Sequence, residues 1–151
     1  YSSVRDIRSV LLLQGAEAKL PELRSQAAFK HITFGETDDF CGAVQGADMI
    51  CVASGGAGQL AGFDLTPGVH IDIFQTHNPI AAGQFPEVRI FVCDREKPEY
   101  RAEPDIAADL KELIQGEKAG RRFYSQQTLF QASEPSGLAD LAIAGHVYLR
   151  S

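Results

Sequence analysis

The chain has 151 residues, of which 44% are hydrophobic and 23% charged. That is the composition of a globular protein with a buried core, and at this length one domain over residues 1–151 is the expectation. A net charge of −6, with Lys and Arg scattered apart from Arg121-Arg122, argues against nucleic acid and anionic membranes as partners.

No run approaches the roughly 18 consecutive apolar residues of a membrane span, and the first residues show no export pattern. Three cysteines, Cys41, Cys51 and Cys93, are odd in number and lack Cys-x-x-Cys spacing, which fits neither a disulfide framework nor a zinc site. The compartment they indicate is reducing and cytoplasmic. Cys51 and Cys93 fall in apolar runs and read as small buried hydrophobes.

In chain order, Ile7 to Leu13 is a short apolar run ending at Gln14-Gly15, as a buried strand before a turn looks. Residues 16–29 have helix-compatible composition, with Leu20, Leu23 and Ala27 at helical spacing and Pro21 setting the start. His31 to Phe34 reads as a second strand, and Asp38-Asp39 as the acidic opening of a short helix. Ala47 to Ala53 is almost wholly apolar and breaks at Ser54-Gly55-Gly56, the pattern of a strand covered on both faces.

Leu65 to Gly68 is a turn before a strand over Val69–Phe74, and a loop over residues 75–87 leads to another strand over Val88–Asp94. Residues 95–104 read as a solvated connection. Asp105 is expected to cap a helix carrying Ile106, Leu110, Leu113 and Ile114 on one face and stopping at Gly116. A last strand is expected within Phe123–Phe130, and a packed terminal helix over residues 138–149. Strands interleaved with helices predict an α/β fold, a mostly parallel sheet flanked by helices.

Ala47 to Ser54, Leu65 to Asp72, Ile114 to Arg121, and Thr128-Leu129-Phe130 with Asp140-Leu141-Ala142 and Val147-Tyr148 follow one another in an order that resembles the ornithine cyclodeaminase/mu-crystallin family. The resemblance runs from about Ile7 to Tyr148, and its most specific part is the Gly-x-x-x-Gly-Arg step before Thr-Leu-Phe. It implies a Rossmann-type domain, NAD or NADP as cofactor, and a substrate that is an amino acid or a cyclic imine. It also aligns the chain with that domain from its first helix onward, as a portion of a longer protein. The first strand and its glycine-rich turn have no counterpart, and no Gly-x-Gly-x-x-Gly occurs in the sequence. Those glycines let a backbone approach the pyrophosphate, so the cofactor is either held weakly or lost.

The resemblance places Gln14 where the family reads the adenosine ribose. It places His77, in Gln75-Thr76-His77-Asn78-Pro79, where the family has its catalytic aspartate. His77 is then a general acid or base near neutral pH, or a loop histidine left where the aspartate is gone. Gln75 lies beside it as a cofactor contact. Ser133 matches a serine close to the nicotinamide, or caps the segment reaching Asp140. Ser54 and Gly55, past an apolar strand, either approach the nucleotide or make a turn.

Arg121-Arg122 read as a solvated corner, and His70 and His146 as structural. No cluster has metal-ligand spacing, so no metal is expected.

Two functions of different class follow. One is the nucleotide-binding half of an NAD(P)-dependent cyclodeaminase or imine reductase, completed by another polypeptide or by residues beyond these 151, with a homo-oligomer or a complementing polypeptide expected as partner. The other is a catalytically inactive Rossmann-like binding or scaffolding domain, whose open sheet edges recruit a partner.

Overall fold

The computed structural model describes residues 6–13, 20–26, 29–53, 57–74, 85–101 and 105–132. Two compact units divide it, Tyr1–Gly46 and Ala47–Ser151.

In the first unit, β1 (Ser9–Leu13), α1 (Leu20–Ser25), β2 (Thr33–Thr37) and α2 (Phe40–Gln45) follow one another. The strands pair in parallel from Ser9 opposite Thr33 to Leu13 opposite Thr37. Pro21 falls in the first turn of α1, where a missing N–H costs no helical bond. Arg24 Nη2 donates to the Phe34 carbonyl at 2.7 Å and ties helix to strand. Leu20 and Phe34 are buried, and the Phe29 ring meets Phe34 edge-on with centroids 6.3 Å apart.

The second strand starts later than the sequence suggests because the Ile32 N–H is spent on Phe29 O in a turn, and Thr33 is the first residue to reach β1. Of the two aspartates before α2, Asp39 is the cap, accepting from Gly42 N at 3.0 Å.

The second unit holds β3 (Met49–Ala53), α3 (Ala57–Leu60), β4 (His70–Phe74), β5 (Arg89–Val92), β6 (Ile106–Asp109), α4 (Leu110–Ile114) and β7 (Thr128–Ala132). Its five strands run in the order β3-β4-β7-β5-β6, and every pairing is parallel. The last strand thus inserts between β4 and β5. Ile71, Asp72 and Ile73 are consecutive and all buried. Since neighbouring strand residues point to opposite faces, β4 is covered on both. Ile71 and Ile73 share their rows with Leu129 and Gln131 of β7 and with Ile90 and Val92 of β5. Burying each of the aliphatic side chains among these, Ile71, Ile73, Leu129, Ile90 and Val92, contributes roughly 1.5–3 kcal/mol.

The turn before β4 is tight. Gly68 has φ +83°, and a Cβ there would lie 2.6 Å from the Tyr124 carbonyl oxygen.

Three expectations need correction. Asp105 caps no helix: Ile106 to Asp109 pair with β5 as a strand, and Asp109 caps α4 in a capping box with Glu112. Ile106 and Leu110 suit a helical face or a strand leading into a helix, and pairing at the sheet edge decides between them. The last strand begins at Thr128, because residues 123–126 form a turn closed by Gln126 N donating to Phe123 O.

Cys51 is exposed and Cys93 half-buried, so neither is a fully buried hydrophobe. β3 lies at one end of the described sheet, and an apolar run does not guarantee a cover there. The expected terminal helix, with Asp140 and His146, lies outside the described residues.

Candidate functional site

Parallel strands bind ligands beyond their carboxyl ends, because the loops leaving them gather there. In the second unit that edge is laid out by register. Ala53, the last residue of β3, stands opposite Phe74, the last of β4, and Phe74 stands opposite Ala132, the last of β7. Three laterally adjacent strands therefore end on one row.

The next residues in the chain are Ser54 and Gly55 after β3, Gln75 and then His77 after β4, and Ser133 after β7. Those five candidates lie outside the described residues. So does Gln14, which follows the end of β1 in the other unit. The structure brings together the strand ends that precede five of the six. Phe74, half-exposed on this row, adds apolar surface to it.

On the far side of the same edge, β5 and β6 are locked by Arg95. Its Nη2 lies 3.2 Å from Glu112 Oε2 and donates to Ile106 O at 3.2 Å, while its backbone N–H donates to Asp109 Oδ2 at 3.5 Å. Asp109 also accepts from Glu112 N at 2.8 Å, and Glu112 Oε2 accepts from Asp109 N at 3.0 Å. One arginine thus joins the β5 exit, the β6 strand and the start of α4. The sequence reading misses this clamp because it places the cap four residues early.

A second signal was also passed over. Gly56-Ala57-Gly58-Gln59-Leu60-Ala61 has the Gly-x-Gly-x-x-Ala spacing that dinucleotide-binding turns use, and it follows an apolar parallel strand. Ala61 stands where the motif more often has its third glycine. Here the segment leads into α3, one helical turn of four residues. A Cβ at Gly58 would meet nothing within 4 Å, so its backbone is open to approach. So short a helix supplies little dipole, and Gly56 lies outside the described residues.

The titratable groups of β4 sit away from this edge, at the start and middle of the strand. His70 Nδ1 is 2.8 Å from Thr128 Oγ1, and His70 Nε2 is 3.6 Å from Asp72 Oδ1. Thr128 also accepts from Arg121 Nη2 at 2.9 Å. These contacts place His70 in β4, between Thr128 and Asp72. Asp72 is 2% exposed, its Oδ2 has no hydrogen-bond partner, and burial pushes its carboxyl up to about 6. Among the described residues, no group of three or more His, Cys, Asp or Glu side chains is placed to hold a metal ion, and no helix is long and apolar enough to cross a membrane.

The sheet order and the all-parallel pairing can be set beside known structures. The fold is Rossmann-like. No protein-family model matches the sequence, and no curated protein matches it. Among solved structures, a Thermococcus litoralis Delta(1)-pyrroline-2-carboxylate reductase in complex with NADH and L-proline superposes with a TM-score of 0.68 at 18% identity. The match covers 88% of this chain and 47% of that one. An archaeal alanine dehydrogenase dimer with bound NAD superposes with a TM-score of 0.66 at 19% identity, over 97% of this chain and 50% of that one. The chain spans about half the length of each.

Proposed function

We propose that this chain is the nucleotide-binding half of an NAD(P)-dependent protein of the ornithine cyclodeaminase/mu-crystallin type, acting on an amino acid or cyclic imine. The observation that carries the proposal is the common row on which β3, β4 and β7 end; the residues proposed as cofactor contacts, Ser54, Gly55, Gln75 and Ser133, follow those three strand ends in sequence. The two Rossmann-like neighbours, one holding NADH with L-proline and the other NAD, support a nicotinamide dinucleotide and a small amino-acid substrate.

His77, in the loop after β4, takes the acid/base role with an imidazole that titrates near neutral pH. A nicotinamide cofactor carries the hydride. The chain's own residues bind it and hold the proton at His77.

NADH and NADPH are titrated against the chain, alone and with a polypeptide supplying the remaining half of the neighbours' length, and nicotinamide fluorescence is read. Saturable binding that weakens in Ser54→Leu supports the reading. No binding even with the complement present removes it.

One observation favours a second reading, an inactive domain that assembles through its sheet edge. Among the described residues no strand pairs with β3 on the side away from β4, and Met49-Ile50-Cys51-Val52-Ala53 carries none of the charges or prolines that usually guard an edge. Such a domain recruits a strand from a second copy or another polypeptide. A well-folded, strictly monomeric species in sedimentation, indifferent to added partner, counts against it.

A further inference from the structure

The connection from α4 to β7, residues 115–127, has a backbone tied down on several sides and large side chains turned outward. Gly116, at φ +73°, ends the helix. Arg89 Nη2 then donates to Ala119 O at 3.0 Å, and Arg121 Nη2 donates to Val69 O at 3.3 Å as well as to Thr128. Arg122 N donates to Gln126 Oε1 at 2.8 Å, and Gly68 N donates to Ser125 O at 2.9 Å. On this fixed frame Phe123 is 59% exposed and Tyr124 88%. Two aromatics held out by so many bonds pay their ordering cost before any partner arrives, which is what a preorganised contact surface does.

The charge of the loop is as distinctive as its shape. Lys118, Arg121 and Arg122 are exposed, and neither they nor Arg89 pairs with a carboxylate among the described residues. Glu117 on the loop and Glu87 ahead of β5 are exposed acids that form no ion pair with them. Arg89 lies over the Phe91 ring at 5.6 Å. Partial burial, and then the Arg122 charge, lower its guanidinium from the usual value.

We propose that the exposed segment Lys118–Tyr124 is an interaction surface for an acidic polypeptide segment carrying apolar side chains, its carboxylates meeting Lys118 and Arg122 and its apolar groups meeting Phe123 and Tyr124. Arginine with tyrosine is the composition that dominates binding energy at protein interfaces. Three cations on a chain of net charge −6 are too few to release the counterions on which nucleic-acid affinity depends, which favours a peptide over a nucleic acid. The segment precedes β7, at the opposite end of the strands from the row where the nucleotide is proposed, so this surface does not depend on that reading.

The test is fluorescence anisotropy of the purified protein with a fluorescein-labelled peptide of glutamate pairs alternating with leucine. Arg122→Glu and Tyr124→Ser are compared with Lys30→Glu, an equal charge change on an exposed side chain of the other unit, each variant checked by circular dichroism. Saturable binding weakened about tenfold or more by Arg122→Glu and by Tyr124→Ser, and left alone by Lys30→Glu, supports the proposal. Should Arg122→Glu fail to fold, Tyr124→Ser decides. Absence of peptide binding, binding by the loop variants as tight as by wild type, tighter binding of a single-stranded oligonucleotide of matched charge, or a self-association abolished by the loop variants overturns it.

Discussion

Asp72→Asn tests the electrostatics of the sheet interior directly. The carboxyl is 2% exposed and its Oδ2 is unpartnered, and burial moves it from 3.8 to about 6. A folded-state value above the unfolded one means that the folded protein holds the proton more tightly. The resulting stabilisation is complete below about pH 4 and is lost as pH rises through about 6. A displacement of this size corresponds to about 3 kcal/mol. Other carboxylates titrate in the same window, so wild type alone does not isolate the term.

The difference between wild type and Asp72→Asn cancels those other carboxylates, and taking it in a His70→Gln background also removes the imidazole that lies 3.6 Å from Asp72 Oδ1 as a second contributor. Urea denaturation followed by circular dichroism, repeated from about pH 4 to about pH 7.5, should show the variant gaining about 2.4 kcal/mol on wild type as pH rises, the rest of the displacement lying below about pH 4. Most of the gain should fall between the two values. A difference that stays flat across this range refutes the reasoning, for it means the carboxylate stays ionised inside the fold as readily as in water.

The remaining stability predictions concern the turn before β4 and the clamp at the end of β6. Gly68→Ala combines a left-handed φ with a Cβ 2.6 Å from a backbone oxygen that has no rotamer to yield, so it should cost upwards of about 2 kcal/mol in urea denaturation. Gly116→Ala has a similar φ but open space around the new Cβ, so its cost should stay near about 1 kcal/mol. Equal losses would show that the Tyr124 contact is not what constrains the turn. Asp109→Ala removes the capping box and the Arg95 backbone contact together, and should cost about 1–2 kcal/mol. An unchanged denaturation midpoint would mean the cap is replaced by water.

The parallel sheet was legible because its strands are short apolar runs separated by helical or turn-like segments. Ala47–Ala53 and Val69–Phe74 were placed to within two residues by that pattern alone. Ile106–Ile114 was not. Its apolar positions fit one helix, and only the presence of β5 alongside makes the first four residues a strand and moves the cap to Asp109. The capping box Asp109-x-x-Glu112 was visible in the sequence, yet Asp105 ahead of an apolar face satisfied the same rule first. For the site, the sequence named residues after three strands without knowing that these strands are neighbours. The order β3-β4-β7 comes from the insertion of the last strand, a long-range event that no local pattern encodes.

Burial inside a strand is likewise set by neighbours rather than by residue type. Cys51 and Asp72 stand opposite each other in the β3–β4 register, and hydrophobicity alone would put the cysteine inside and the aspartate out. The reverse holds: the cysteine is exposed and the aspartate is not. β4 has a strand on each side, whereas β3 has one on a single side among the described residues. The position of a strand in the sheet therefore outweighs the chemistry of its side chains. The chain keeps a carboxyl where its charged form is strongly disfavoured and, opposite it, an exposed thiol that partial burial also pushes up. Topology thus determines which polar group carries a pH-dependent cost, and a sequence reading would have assigned that cost to no residue at all.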